Sequence, residues 1–149
     1  MPFEEKMTWV NLVVTILVPV WYVVTMAGRL GDSSAADIAY QKPMLIAFGV
    51  YIGLSIIGAI AVSIVAAASA EIRGERTDAI DRKDERDKDI SRRGDVVGFY
   101  IVSAGAVGVM ALTMLEYDYF WIANTLYLSF AVASVVAGIV KLRAYRRGF

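Results

Sequence analysis

The sequence predicts an all-α integral membrane protein: a four-transmembrane-helix antiparallel bundle with a charged, helical cytoplasmic segment between helices 2 and 3. Three observations carry this expectation. Uncharged runs of 21, 27, 20 and 21 residues occupy residues 8–28, 44–70, 96–115 and 120–140. Hydrophobic residues make up 58% of the chain, against about 45–50% in an ordinary soluble domain. The charge is gathered in blocks: 17 of the 25 residues from 71 to 95 are charged, eight basic and nine acidic. Each such charge costs roughly 2.5–3.5 kcal/mol at a bilayer centre, so this segment must sit in water or against protein. Residues 1–149 read as a single membrane domain.

Taken in order, the chain starts with the polar MPFEEKM. The first uncharged run would be about 31 Å long as a helix, enough to cross hydrocarbon. A cleavable signal peptide competes there, with Thr25-Met26-Ala27 near the right offsets. The acidic Glu4 and Glu5 and a run longer than the usual ~7–15 apolar residues favour a retained span. Pro19 has no N–H for the carbonyl of Thr15, which predicts a kink. After a loop at residues 29–42, Pro43 suits the first turn of a second helix. That helix, about 40 Å long, must tilt or protrude. Glu116-Tyr117-Asp118-Tyr119 is a polar break too short for anything but a tight antiparallel hairpin between the third and fourth spans. The tail KLRAYRRGF closes the chain.

Orientation follows from basic residues. Lys6, the charged segment and the tail place thirteen Lys/Arg on one side, against Arg29 and Lys42 on the other. The positive-inside rule then puts both termini and residues 71–95 in the cytoplasm of a multi-pass protein of the cell (plasma) membrane. Tyr117, Tyr119 and Trp121 mark the outer interface, and Trp9, Phe99, Tyr100 and Tyr145 the inner one.

Composition excludes much chemistry. There is no cysteine and no histidine, hence no disulfide, thiol redox chemistry, Cys/His zinc site or Ser–His and Cys–His catalytic pair. No catalytic residue, cofactor or metal ligand is predicted. Fifteen basic and fifteen acidic residues, segregated in blocks, point to membrane partitioning and away from nucleic acid. No Asp, Glu, Lys or Arg falls within a predicted span. Proton-coupled export is therefore disfavoured, because such transporters bury an ionisable group on the proton path.

Two features inside the spans have two readings each. Small residues recur at Gly49 and Gly53, then Ser55, Ala59 and Ser63, and again at Ala104 and Gly108. They serve close packing within the bundle or between two copies as a homodimer. Thr15, Ser63 and Ser103 lie seven residues inside the cytoplasmic edge of their runs, Ser134 six and Asn11 three. At ~1.5 Å per residue this places most of them roughly 10 Å deep. They form either a shared polar layer lining a cavity or isolated hydroxyls bonded back to their own helices.

The charged segment holds acid-to-base pairs at helical i,i+4 spacing, Asp78–Arg82, Asp84–Lys88 and Asp89–Arg93, each adding a few tenths of a kcal/mol. It reads as a solvated, salt-bridged connector or as a protein-docking surface. Asp81, Asp84 and Glu85 do not resemble a divalent-metal loop, being interleaved with Arg82, Lys83 and Arg86. Ile80 and Ile90 could anchor the arm on the bundle or on a partner.

Within it, DERDKDISRRGDVVGFY resembles the motif of a family of small four-span bacterial and archaeal membrane proteins of unknown function. The opening FEEKMTW is similar to the start of actinobacterial members. The resemblance covers about seventeen residues and the four-span layout. Members often carry a neutral or basic residue where this chain has Asp95. The resemblance implies importance for Asp84, Glu85, Arg86, Asp87, Arg93 and Gly94, and no particular activity.

The expected function is that of a non-enzymatic accessory or regulatory membrane protein. Its cytoplasmic segment would dock a protein partner through Arg82, Asp84, Glu85, Arg86, Asp87, Ile90, Arg93 and Gly94. The alternative is a small transporter or channel, dimeric in its simplest form, with a path lined by Asn11, Thr15, Ser63, Ser103 and Ser134. The partners expected are the lipid bilayer, a protein at the cytoplasmic face and a second copy.

Overall fold

The structure, a computed structural model, describes residues 3–32, 34–73 and 85–147. Among the described residues the chain is all-α: α1 (Phe3–Asp32), a single 3₁₀ turn (Ala35–Asp37), α2 (Gln41–Arg73), α3 (Glu85–Met114) and α4 (Tyr119–Arg147). Each of the four helices is long and apolar enough to cross a membrane. Each outruns the uncharged stretch that predicts it, because polar residues at a span's ends continue the helix into the interface without cost to the hydrocarbon. α1 runs on through Pro19, which it carries in its interior. Pro43 falls in the first turn of α2, where a missing N–H removes no helical bond.

The predicted hairpin is present. The N–H of Tyr117 donates to the Leu112 carbonyl (3.0 Å) and that of Glu116 to the Thr113 carbonyl (3.2 Å). Glu116 takes a left-handed φ of 56°, so the turn has the Schellman form that satisfies the last carbonyls of α3. The Asp118 carbonyl then accepts from the N–H of Trp121 at 2.9 Å and starts α4.

Packing orders the helices α2–α1–α4–α3, with α3 on α4 the most extensive interface. No comparable interface joins α2 to α3. The bundle is therefore an open trough, with α1 and α4 as its floor. α3 and α4 approach closely because glycines on α3 face α4: a Cβ on Gly98 would meet the Ala133 carbonyl and the Ala137 Cβ at 3.6 Å, and one on Gly108 the Thr125 methyl at 3.8 Å. Gly105 is crossed by Ser129. This seam uses Gly108 as expected, but Ala104 is exposed. A Cβ added at Gly49 or Gly53 on α2 would meet nothing within 4 Å in this chain. The internal-packing reading thus fails for that pair, since α2 meets α1 through a different face, where Gly58 lies against Val10.

The buried core sits toward the end that carries the two short loops. Val18, Tyr22, Met26, Ile38, Ala47, Phe120 and Tyr127 form one cluster. Its rings interlock: Tyr22 and Tyr127 centroids are 4.6 Å apart, Phe48 and Tyr127 5.3 Å, and Tyr40 and Phe120 5.7 Å. The Tyr22 hydroxyl donates to Asn124 Oδ1 at 2.8 Å, and Asn124 Nδ2 donates to the Phe120 carbonyl at 2.7 Å. This bond ties α1 to α4 where α4 begins. Arg29 closes the 29–42 loop by donating to the Ala39 carbonyl at 2.7 Å.

Candidate functional site: a polar cleft at the termini-bearing end

Away from that aromatic plug the trough widens toward the end carrying both termini. Thr8, Asn11, Leu12 and Thr15 of α1 and Ser134, Ala137, Gly138 and Lys141 of α4 line a cleft of about 410 Å³. Tyr51, Ile52, Ser55 and Ile56 of α2 form one wall, and Asp95 of α3 stands at the mouth. Leu12 fits against Gly138, where an added Cβ would come within 3.0 Å of Leu12 Cδ1. The floor can be this flat because the residue at 138 has no side chain. At its inner end Thr15, Tyr51 and Ser134 also border a second, smaller pocket of about 60 Å³ whose other walls include Val18, Phe48, Tyr127 and Phe130. Polarity therefore falls along one line, from an ion pair at the mouth, through neutral polar groups, to an apolar end.

Most hydroxyls outside the cleft, and Thr8 at its edge, bond back to their own helices. Thr8, Thr25, Ser63, Ser103, Thr113 and Ser129 each donate to the carbonyl four residues earlier, at 2.6–2.9 Å. These are the self-satisfied hydroxyls of the plainer reading. Ser63 and Ser103 do not line the cleft and so leave the expected five-residue layer: Ser63 bonds to the Ala59 carbonyl and Ser103 to the Phe99 carbonyl. Equal depth along separate helices placed them together, but helix rotation turns both away. Asn11, Thr15 and Ser134 do meet in the cleft. Ser55 joins them, and its buried Oγ is, among the described residues, the side-chain polar atom left with no partner. An unsatisfied buried hydroxyl costs about 1–3 kcal/mol, so its retention calls for an explanation.

The mouth is built around Lys141. Its ammonium donates to Asp95 Oδ1 at 2.8 Å and to Ser91 Oγ at 3.3 Å, and Ser91 donates to Asp95 Oδ2 at 3.4 Å. The pair is half-open, with the Lys141 side chain 23% exposed and that of Asp95 65%. Gly94 makes the arrangement fit: an added Cβ would lie 2.6 Å from Lys141 Cγ and Cε and 2.9 Å from the Ala137 carbonyl. Lys141 crosses α3 over the bare backbone of Gly94 to reach Asp95. Sequence reasoning missed this pair, although a signal was available. Asp95 and Lys141 both lie 23 residues from Asp118 at the hairpin turn, and an antiparallel hairpin sets residues equidistant from its turn side by side.

Of the residues expected in a docking surface, Arg82 and Asp84 lie outside the described residues, and Arg86 is described only in its helical backbone. Glu85 and Arg93 are exposed on α3 and Asp87 is half-buried. Ile90 is 3% exposed, so it anchors the arm on its own bundle and is not available to a partner. Gly94 is buried as the Lys141 crossing point, a packing role. No protein-family model, curated protein or solved structure matches this chain.

Proposed function

We propose that this chain is a non-enzymatic, multi-pass membrane protein with both termini in the cytoplasm, docking a protein partner through the charged arm that opens α3. One observation carries this reading. α3 runs unbroken from Glu85 into its apolar span, and Ile90, Gly94 and the Asp95–Lys141 pair clamp its first turns to the bundle. Glu85, Lys88, Asp89 and Arg92 are exposed on that clamped arm. A helix held in place presents mixed charge without the ordering cost that a loop incurs on binding, and alternating charges favour specificity over raw affinity. A photo-crosslinking residue at Asp89 is expected to capture one discrete partner in cells, and the same residue at the lipid-facing Val107 to capture none. Charge reversal at Lys88 and Arg92 should weaken capture at least tenfold. A smear of adducts, or capture indifferent to the reversal, rejects docking.

The cleft supports a second reading, a small transporter using Asn11, Thr15, Ser55 and Ser134 as its path. In proteoliposomes, ion or small-solute flux that persists unchanged when Thr15→Val is combined with Ser134→Ala would remove it.

A further inference from the structure

The trough is closed by aromatic packing at one end and open at the other, and it also lacks a side. Because α2 packs on α1 and α3 on α4, with no interface of their own, the slot between α2 and α3 faces the bilayer. The surface of α2 that flanks the cleft is apolar and exposed, with Ile52 and Ile56 each at 55%. A molecule reaching the cleft through that slot must carry a hydrocarbon part.

We propose that the cleft binds one zwitterionic phospholipid from the leaflet next to the termini, with its headgroup on the Asp95–Lys141 pair. Charge complementarity selects the class. Lys141 and Asp95 are bonded to each other at 2.8 Å, so a purely anionic headgroup must displace Asp95 and a purely cationic one must displace Lys141. A headgroup holding both a phosphate and an ammonium replaces one ion pair with two. Lys88 and Arg92 line an adjoining groove of α3 that meets the cleft at Asp95. Below the headgroup, Asn11, Ser55 and Ser134 offer donors at the level of the glycerol and ester oxygens. Ser55 in particular has an Oγ with no partner inside the protein. Deeper still, the polar groups end at Thr15 and Tyr51, and the apolar pocket beyond them suits hydrocarbon. The cleft volume of about 410 Å³ lies in the range of small-molecule sites. The site shares the Asp95–Lys141 pair with the clamp of the docking arm, but its test reads lipid on the purified chain with no protein partner present, so its failure and that of docking are told apart.

The test uses the full chain purified in mild detergent and offered phosphatidylethanolamine, phosphatidylglycerol or water-soluble phosphoethanolamine, with bound adducts counted by native mass spectrometry. Wild type is expected to retain one phosphatidylethanolamine at least tenfold more readily than phosphatidylglycerol. Filling the cleft with Asn11→Leu plus Ser134→Leu, or separately with Ser55→Leu on the opposite wall, should abolish that adduct, and Lys141→Gln should erase the headgroup preference. Ser63→Leu, on a hydroxyl already bonded to its own helix, should leave it intact. The fillings lie on different helices, so loss of the adduct in both, from protein that elutes as a single species, excludes misfolding as the cause. An adduct that survives both fillings, or that shows no headgroup preference, overturns the proposal. Equal occupancy by phosphoethanolamine alone overturns it too, in favour of a free solute.

Discussion

Tyr22→Ala is expected to destabilise the protein more than any other single truncation, by an amount near the lower end of about 3–5 kcal/mol. Tyr22 is fully buried, packs tilted against Tyr127 with ring centroids 4.6 Å apart, and holds α1 to α4 through its bond to Asn124. Inside a bilayer the transfer from water contributes little, because lipid tails are as apolar as the core. What is lost is dispersion contact around a cavity that the surrounding rings cannot fill, and the satisfied state of Asn124 Oδ1. Tyr22→Phe isolates the second part, and its cost should fall near about 0.6–2 kcal/mol. Reversible unfolding in mixed micelles, followed by circular dichroism, measures both. If Tyr22→Ala unfolds with wild-type stability, the aromatic plug is not what closes the bundle.

Gly105→Leu is expected to disrupt the α3–α4 seam, at a cost of about 1–3 kcal/mol or more. Its Cβ would fall on the Ser129 side chain, including Ser129 Cβ, which no side-chain rotation moves, so the helices must part. Gly49→Leu is the contrast. Nothing lies within 4 Å of its Cβ position, and removing a helix glycine is itself worth about 0.5–1 kcal/mol, so stability should hold or rise. A second readout follows from the absence of native cysteine. A Cβ on Gly98 would stand 3.6 Å from that of Ala137, within disulfide range. Cysteines at both positions should therefore crosslink readily in an otherwise wild-type chain and poorly once Gly105→Leu is added. Equal crosslinking in the two backgrounds would show that the seam tolerates a large side chain.

The two glycine pairs show where sequence patterning reaches its limit. Spacing alone marks Gly49–Gly53 as a packing seam as strongly as Gly94–Gly98. Only the helix rotations distinguish them, and those are fixed by contacts far along the chain: the Tyr22–Asn124 bond, the Val10–Gly58 approach and the Gly105–Ser129 crossing. The same limit governs the polar layer. Depth is legible because each residue adds a fixed rise to a helix, so Asn11, Thr15, Ser63, Ser103 and Ser134 could be placed in one slab. Azimuth is not, because each helix can rotate about its axis without changing any feature of its hydropathy, and rotation sends Ser63 and Ser103 outward while bringing Ser55 in.

What the sequence determined by itself was therefore one-dimensional: four apolar helices, their lengths and order, the tight turn at residues 116–119, and the segregation of charge at residues 71–95. These follow from hydrophobic run length and from the cost of charge in hydrocarbon, which act locally. The tertiary structure decided what requires two helices to meet. It left α2 and α3 apart, turned Ile90 inward, laid Lys141 over Gly94 onto Asp95, and opened a cleft with an unpartnered Ser55 in its wall. In a membrane, apolar side chains are satisfied by lipid as readily as by protein, so hydrophobic pattern does not select the facing partner. Small-residue fit and a few polar bonds make that selection, and they become visible only when the helices are seen side by side.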